Sequence, residues 1–330
     1  MAVTAHTPIF AGVKRYHGTP KLQAMAIVRP WHIRALVKLV GKTKAYQWHN
    51  QVVESSANTY WQQVFSQLQT EPPASLTEEV ERQVYRQLME KGIAFANAAD
   101  FLQSDLPLLQ AVEADYEAWS QSLPPITDVN NKKAYEQKRY PGRHYRQTTD
   151  PDIQLALHPR FTRLAEAYLH APASLFYADY WHTVVSPVQQ RVASQNWHRD
   201  LEDKRLLKVF IYFNDITEEN GAFEYAQYSA LPLKYGQQFP HRLATSVYGA
   251  DMNNYIEKDL AEFIIRGKGP RYTIVFADTT GFHRGGFATR GERKLFHFFY
   301  TSQRCPHQFA TVFKSSINLP AHARHLVSVQ

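Results

Sequence analysis

The spacing of apolar residues divides this chain into an N-terminal stretch, a helical entry and a strand-rich remainder. Residues 1–30 show little periodicity and read as an arm. Between 31 and 70, Ile33, Leu36, Val37 and Val40 recur at helical spacing, and Val52, Val53, Tyr60, Val64 and Leu68 form a second stripe. Positions three and four apart share a helix face, so this region is expected to be helical. Glu71-Pro72-Pro73-Ala74 breaks the pattern as a linker would, which separates an N-terminal extension, 1–72, from a main domain, 73–330. The main domain opens with Ser75 and Glu78 spaced as a capping box. Val80, Val84 and Leu88 follow on one helical face, and Lys91-Gly92 marks the stop. A strand is expected from Gly92 to Ala96, helices over 107–121 and 158–169, and an irregular basic segment after Pro124-Pro125.

From residue 174 the character changes. Ser174–Trp181, Lys208–Phe213, Ala222–Ala226, Arg271–Phe276 and Lys294–Tyr300 are short runs rich in β-branched and aromatic residues, with turn signals such as Glu218-Glu-Asn-Gly221 between them. Successive strands without intervening helices predict an antiparallel sandwich or barrel rather than a parallel α/β sheet. Residues 229–269 interrupt the series. That is too long for a tight turn, so the interval is expected to be a functional lid or a disordered insertion.

Composition narrows the class. With 44% hydrophobic residues among 330, a sizeable core can form, and no apolar run approaches the roughly 18 residues of a membrane span. A single cysteine, Cys305, excludes an intramolecular disulfide and a thiolate metal cage. With no basic-then-apolar leader at Met1, this points to a reducing cytoplasm. The net charge of +7 is scattered, with mild clusters at Lys132-Lys133, Lys138-Arg139 and Arg143. A solvated surface explains it better than a nucleic-acid face does, and an anionic small molecule is compatible with it.

The chemistry is carried by Gln195-Asn-Trp-His198-Arg-Asp200. In an extended segment residues two apart point the same way, so His198 and Asp200 converge without a turn. His283, after a predicted strand, can reach the same point from a neighbouring strand. Two imidazoles and one carboxylate on one face of an octahedron leave three positions open, the arrangement of non-haem Fe(II) oxygenases. Arg293, ten residues beyond His283 at the start of the next strand, can grip a carboxylate with two parallel hydrogen bonds. Arg290 is its nearest competitor, but reads as part of a turn with Gly291.

These stretches resemble the phytanoyl-CoA dioxygenase family of Fe(II)/2-oxoglutarate oxygenases. The likeness rests on Gln195–Asp200, on Leu207–Tyr225, on Gly281-Phe-His-Arg-Gly-Gly286 followed by Arg293, and on the helix–glycine–strand entry at 75–102, and so spans about 75–305. The resemblance implies a double-stranded β-helix, a jelly roll with flanking helices, and an α+β fold overall. It implies Fe(II) bound by His198, Asp200 and His283, with Arg293 on the far carboxylate of 2-oxoglutarate and O₂ as second cosubstrate. Hydroxylation of a small organic substrate, with release of succinate and CO₂, would follow; halogenating relatives lack the carboxylate that Asp200 supplies. Tyr180 and Lys208 become candidates for the cosubstrate, and Asn196 and Trp181 for the substrate. His297 and His182 read as packed structural histidines.

Two other classes remain open: a non-catalytic jelly-roll binding protein, and a cupin-like metalloenzyme that does not use 2-oxoglutarate. Arg293 is what separates them from the oxygenase. His198-Arg-Asp200 also mimics a kinase catalytic loop, but position 205 holds arginine where that loop needs asparagine, and no glycine-rich phosphate loop precedes it.

Overall fold

In the computed structural model, the described residues are 58–124, 135–186, 190–236, 250–307, 309–316 and 318–329. The arm, the first helical stripe and the basic clusters at 132–133 lie outside them. So does 237–249, the middle of the interval expected to be a lid.

The chain is helical over 58–66, where Trp61 and Val64 are buried. Helix α1 is Glu79–Lys91 and ends on Gly92 in the left-handed region. It starts three residues later than the Ser75 cap predicts. The Glu81 carboxylate accepts from the backbone N–H groups of Thr77 and Glu78, so the box is built one turn further on. Strand β1, Ile93–Asn97, leads through α2, Ala98–Leu102, to α3, Leu106–Ser120. Two short strands follow, β2 (Glu136–Lys138) and β3 (His144–Tyr145), then helices α4 (Pro151–Ala156) and α5 (Pro159–Leu169). The strand-rich part contains β4 (Ala173–Val184), β5 (Leu206–Tyr212), β6 (Phe223–Ala226), helix α6 (Ala250–Asp259), β7 (Ile264–Gly267), β8 (Thr273–Ala277), β9 (His283–Arg284) and β10 (Glu292–Ser302). A last strand, β11 (Thr311–Val312), pairs with β3.

The large sheet has the order β1-β8-β5-β10-β4-β2, all antiparallel, and a small sheet has the order β7-β6-β9. A bridge between His198 and His283 adds one more crossing to the small sheet's β9 edge. From β4 onward the chain therefore steps from large sheet to small and back: β4, the His198 segment, β5, β6-β7, β8, β9, β10. That alternation is a double-stranded β-helix. The end of the interval expected to be a lid, 264–267, is strand β7 itself, so the insertion between β6 and β7 is 227–263.

Period-two alternation distributes the side chains. On β10, Phe296, Phe298 and Tyr300 face the helical layer, with Tyr180 of β4, Phe161 of α5 and Val112 of α3. Leu295 faces inward, where Phe210 and Tyr212 of β5 meet Phe223 and Tyr225 of β6. A third cluster lies outside the small sheet: Ile256 of α6 and Leu260, just beyond its end, cover Trp197, Ala226 and Phe282.

Candidate metal centre

His198, Asp200 and His283 are all buried, and one ligand atom from each lies within 4.8 Å of the others. The backbone makes this happen. His198 and His283 face each other across an antiparallel bridge, exchanging two N–H···O bonds of 3.0 Å. The Asp200 N–H donates to the Thr279 carbonyl at 2.8 Å, which holds the second ligand two residues along. Each imidazole is then oriented by a carbonyl two residues before it. His198 Nδ1 lies 2.8 Å from the Asn196 oxygen, and His283 Nδ1 lies 3.0 Å from the Gly281 oxygen. An Nδ1–H donated to a carbonyl leaves Nε2 as the lone-pair nitrogen, the usual arrangement behind metal-bound histidine. Gly281 cannot carry a side chain here, because a Cβ would sit 2.2 Å from the Tyr225 hydroxyl.

Lys208 reaches the same point. Its Nζ is 2.6 Å from Asp200 Oδ2, and His283 Nε2 is 3.4 Å from the same oxygen. Burial opposes ionisation of Asp200, but Lys208 and the two imidazoles outweigh it and hold the carboxyl well below its ordinary value. Burial, reinforced by His198, pushes His283 down to about 3, so it is neutral and able to ligate. Glu202 goes the other way: burial and the Asp200 charge raise it to about 7.

Arg293 is 5% exposed and lies on the inward-facing side of β10. It donates to the Gly221 carbonyl and, at 3.5 Å, to the Thr183 hydroxyl. Gly221 closes the Glu218–Gly221 turn at φ +83°, which presents that carbonyl. Among the described residues Arg293 has no carboxylate partner, and its buried Nε has no acceptor. A buried guanidinium in that condition calls for an anion. The donor set of two imidazoles and a carboxylate, with this arginine nearby, fits Fe(II) and 2-oxoglutarate.

The remaining candidates divide. Trp181 faces inward, its Nε1 3.0 Å from the Tyr177 hydroxyl. Lys208 faces inward onto Asp200. The Asn196 side chain turns back to the Ala193 carbonyl, and its contribution to the centre is the backbone oxygen that holds His198. Tyr180 is corrected: it points into the helical layer, where its hydroxyl meets Asp115 at 2.9 Å. Adjacent strand residues face opposite ways, so Tyr180 and Trp181 cannot both line the interior. His182 is structural as expected, bonded to the Tyr116 hydroxyl at 2.8 Å. His297 is not in the helical layer; it faces the interior. Missed from sequence was the second support of the centre, α6: Asn253 Oδ1 accepts from the Trp197 N–H at 3.2 Å, one residue before His198.

A jelly roll with a His–Asp–His cluster between its sheets is the class these features define. No family model matches the chain, and no curated protein matches it. Solved structures do. The chain is similar to the non-haem α-ketoglutarate-dependent epimerase SnoN of nogalamycin biosynthesis, at 13% identity and a TM-score of 0.47, over 68% of this chain and 83% of that one. The carbocyclase SnoK of the same biosynthesis is 16% identical with a TM-score of 0.47, over 70% and 87%. EctD from S. alaskensis, solved with 2-oxoglutarate and 5-hydroxyectoine, is 15% identical with a TM-score of 0.46, over 66% and 75%. At such identities and scores, function has to come from this chain's own side chains.

Proposed function

We propose that this chain is an Fe(II)- and 2-oxoglutarate-dependent oxygenase that hydroxylates an unactivated C–H of a small organic substrate. The observation that carries the reading is the convergence of His198, Asp200 and His283, with both Nδ1 atoms engaged by backbone carbonyls. Arg293, buried without a carboxylate partner, supports 2-oxoglutarate in particular. Bound iron with 2-oxoglutarate and O₂ supplies the oxidation, yielding succinate and CO₂ and leaving one oxygen atom on the substrate.

The protein's part is to bind, orient and exclude water. His198, Asp200 and His283 would hold the metal on one face. Arg293 would bind the far carboxylate of 2-oxoglutarate, and the inward-facing aromatic residues keep the cosubstrate region dry. Lys208 neutralises Asp200 in the metal-free protein and would yield part of that role to the cation. An intact carboxylate ligand at Asp200 favours hydroxylation over halogenation.

The test is anaerobic addition of Fe(II) and 2-oxoglutarate, read as a weak visible charge-transfer band, followed by succinate release in air across a substrate library. The band is expected in the wild type and absent in His198→Ala and in His283→Ala. A band that survives in both variants would refute the ligand assignment. Turnover of substrate without stoichiometric succinate would exclude 2-oxoglutarate as the cosubstrate.

A further inference from the structure

His297 is an anomalous polar residue in the interior. It is 1% exposed, and neither Nδ1 nor Nε2 has a hydrogen-bond partner among the described residues. Its ring is stacked on Phe210 with centroids 4.7 Å apart at 12°, and the Trp181 ring meets it edge-on with centroids 4.5 Å apart. Leaving a buried polar group unpaired is costly, and phenylalanine would fill such an aromatic niche without that cost. A ligand that contacts this imidazole removes the anomaly.

The strand geometry indicates which ligand. Arg293 and His297 lie on the same face of β10, with Leu295 between them. Four residues of strand span about 13 Å. The arginine side chain covers part of that distance and a five-carbon diacid much of the rest. His297 pairs with Phe210, two residues along β5 from Lys208, whose Nζ holds Asp200, so it lies toward the metal end, with Arg293 marking the far end. Phe210 and Phe223 form the ring contacts between His297 and His283.

We propose that His297 is a cosubstrate-contacting residue, donating a ring N–H to the metal-proximal keto acid end of 2-oxoglutarate while Arg293 binds the distal carboxylate. The inference rests on the oxygenase reading above and deepens it. Burial keeps the imidazole neutral, with Lys208 and Lys138 adding to that effect, so it offers one donor rather than a second fixed charge.

Three variants separate this contact from a packing role. His297→Phe keeps the stacking and removes both nitrogens; His297→Gln restores a donor; Arg293→Leu tests the underlying reading. Cosubstrate affinity is measured by calorimetry on the anaerobic Fe(II) protein, without turnover, alongside the thermal midpoint of the metal-free protein. His297→Phe is expected to weaken 2-oxoglutarate by about 3- to 10-fold, as a neutral hydrogen bond does. It should leave Fe(II) binding unchanged and keep or raise the midpoint. His297→Gln should recover part of the affinity. Wild-type affinity for 2-oxoglutarate in His297→Phe, with Arg293→Leu impaired, would overturn the His297 contact and leave the oxygenase reading standing. No 2-oxoglutarate binding by the wild-type Fe(II) protein would overturn both.

Discussion

At the scale of single residues, the decisive contrast is between two arginines three positions apart. Arg293 is buried with an acceptor-less Nε, whereas the Arg290 side chain is 84% exposed and 4.0 Å from Glu219. Hydrogen bonds to charged groups contribute roughly 1.5–3 kcal/mol, so Arg293→Leu should weaken 2-oxoglutarate about 10- to 150-fold. Arg290→Leu should stay within about threefold. Affinities from the visible band decide it: if Arg290→Leu is the impaired variant, the anchor is misassigned. The ligands were legible because the i, i+2 rule needs only an extended backbone. Tyr180 was not, because alternation groups residues by face but does not say which face is inside. Here the packing of α3 settles that, with Tyr116 5.6 Å from the Tyr180 ring. Lys208 was undecidable for the same reason: the strand it belongs to is buried on both sides, so its parity carries no polar signal.

At the scale of elements, α6 connects the insertion to the metal centre. Ile256 is fully buried against Trp197 and Phe282, which immediately precede His198 and His283. Ile256→Ala should cost about 2–5 kcal/mol, since the pocket it leaves is held open by the sheet. It should also weaken Fe(II), because the two ligand-bearing strands lose their outer support. Urea denaturation of the metal-free protein together with Fe(II) titration tests this. Lost stability with unchanged Fe(II) affinity would show that α6 is only a cover. The long strands β4, β5, β8 and β10 were legible as runs of aromatic and β-branched residues. β9 has two residues and β7 four, and no local pattern announces their pairing with β6. The cap of α1 shifted because Glu81 offers the same chemistry as Glu78, one turn later.

At the scale of the whole molecule, the interior holds titratable groups whose effects on stability oppose one another. Burial raises Asp179 and Asp203 to about 6 and Glu202 to about 7, so the folded state keeps protons that the unfolded chain releases at lower pH. Their contribution is complete in acid and is lost as pH rises through those values. His297 has the opposite sign. Its folded value lies well below 6.5, so the unfolded chain binds the extra proton, and stability is lost as pH falls below 6.5. The charged and titratable groups acting on it are Lys208 of β5, Lys138 of β2, and Asp200 and His283 of the metal centre, with Asp179 opposite it on β4. The raw curve of stability against pH should therefore be shallow between about 4 and 6.5, while the difference between wild type and His297→Phe should not be. One group can contribute at most about 1.4 kcal/mol per pH unit. Below pH 6.5 the wild type should lose stability relative to the variant at a slope approaching that limit; above pH 7.5 the difference should be flat. Urea midpoints of the two metal-free proteins at pH 8.0, 6.5 and 5.0 measure it. Parallel curves throughout would mean that His297 is protonated or solvated in the fold, and that the dry interior inferred around it is wrong.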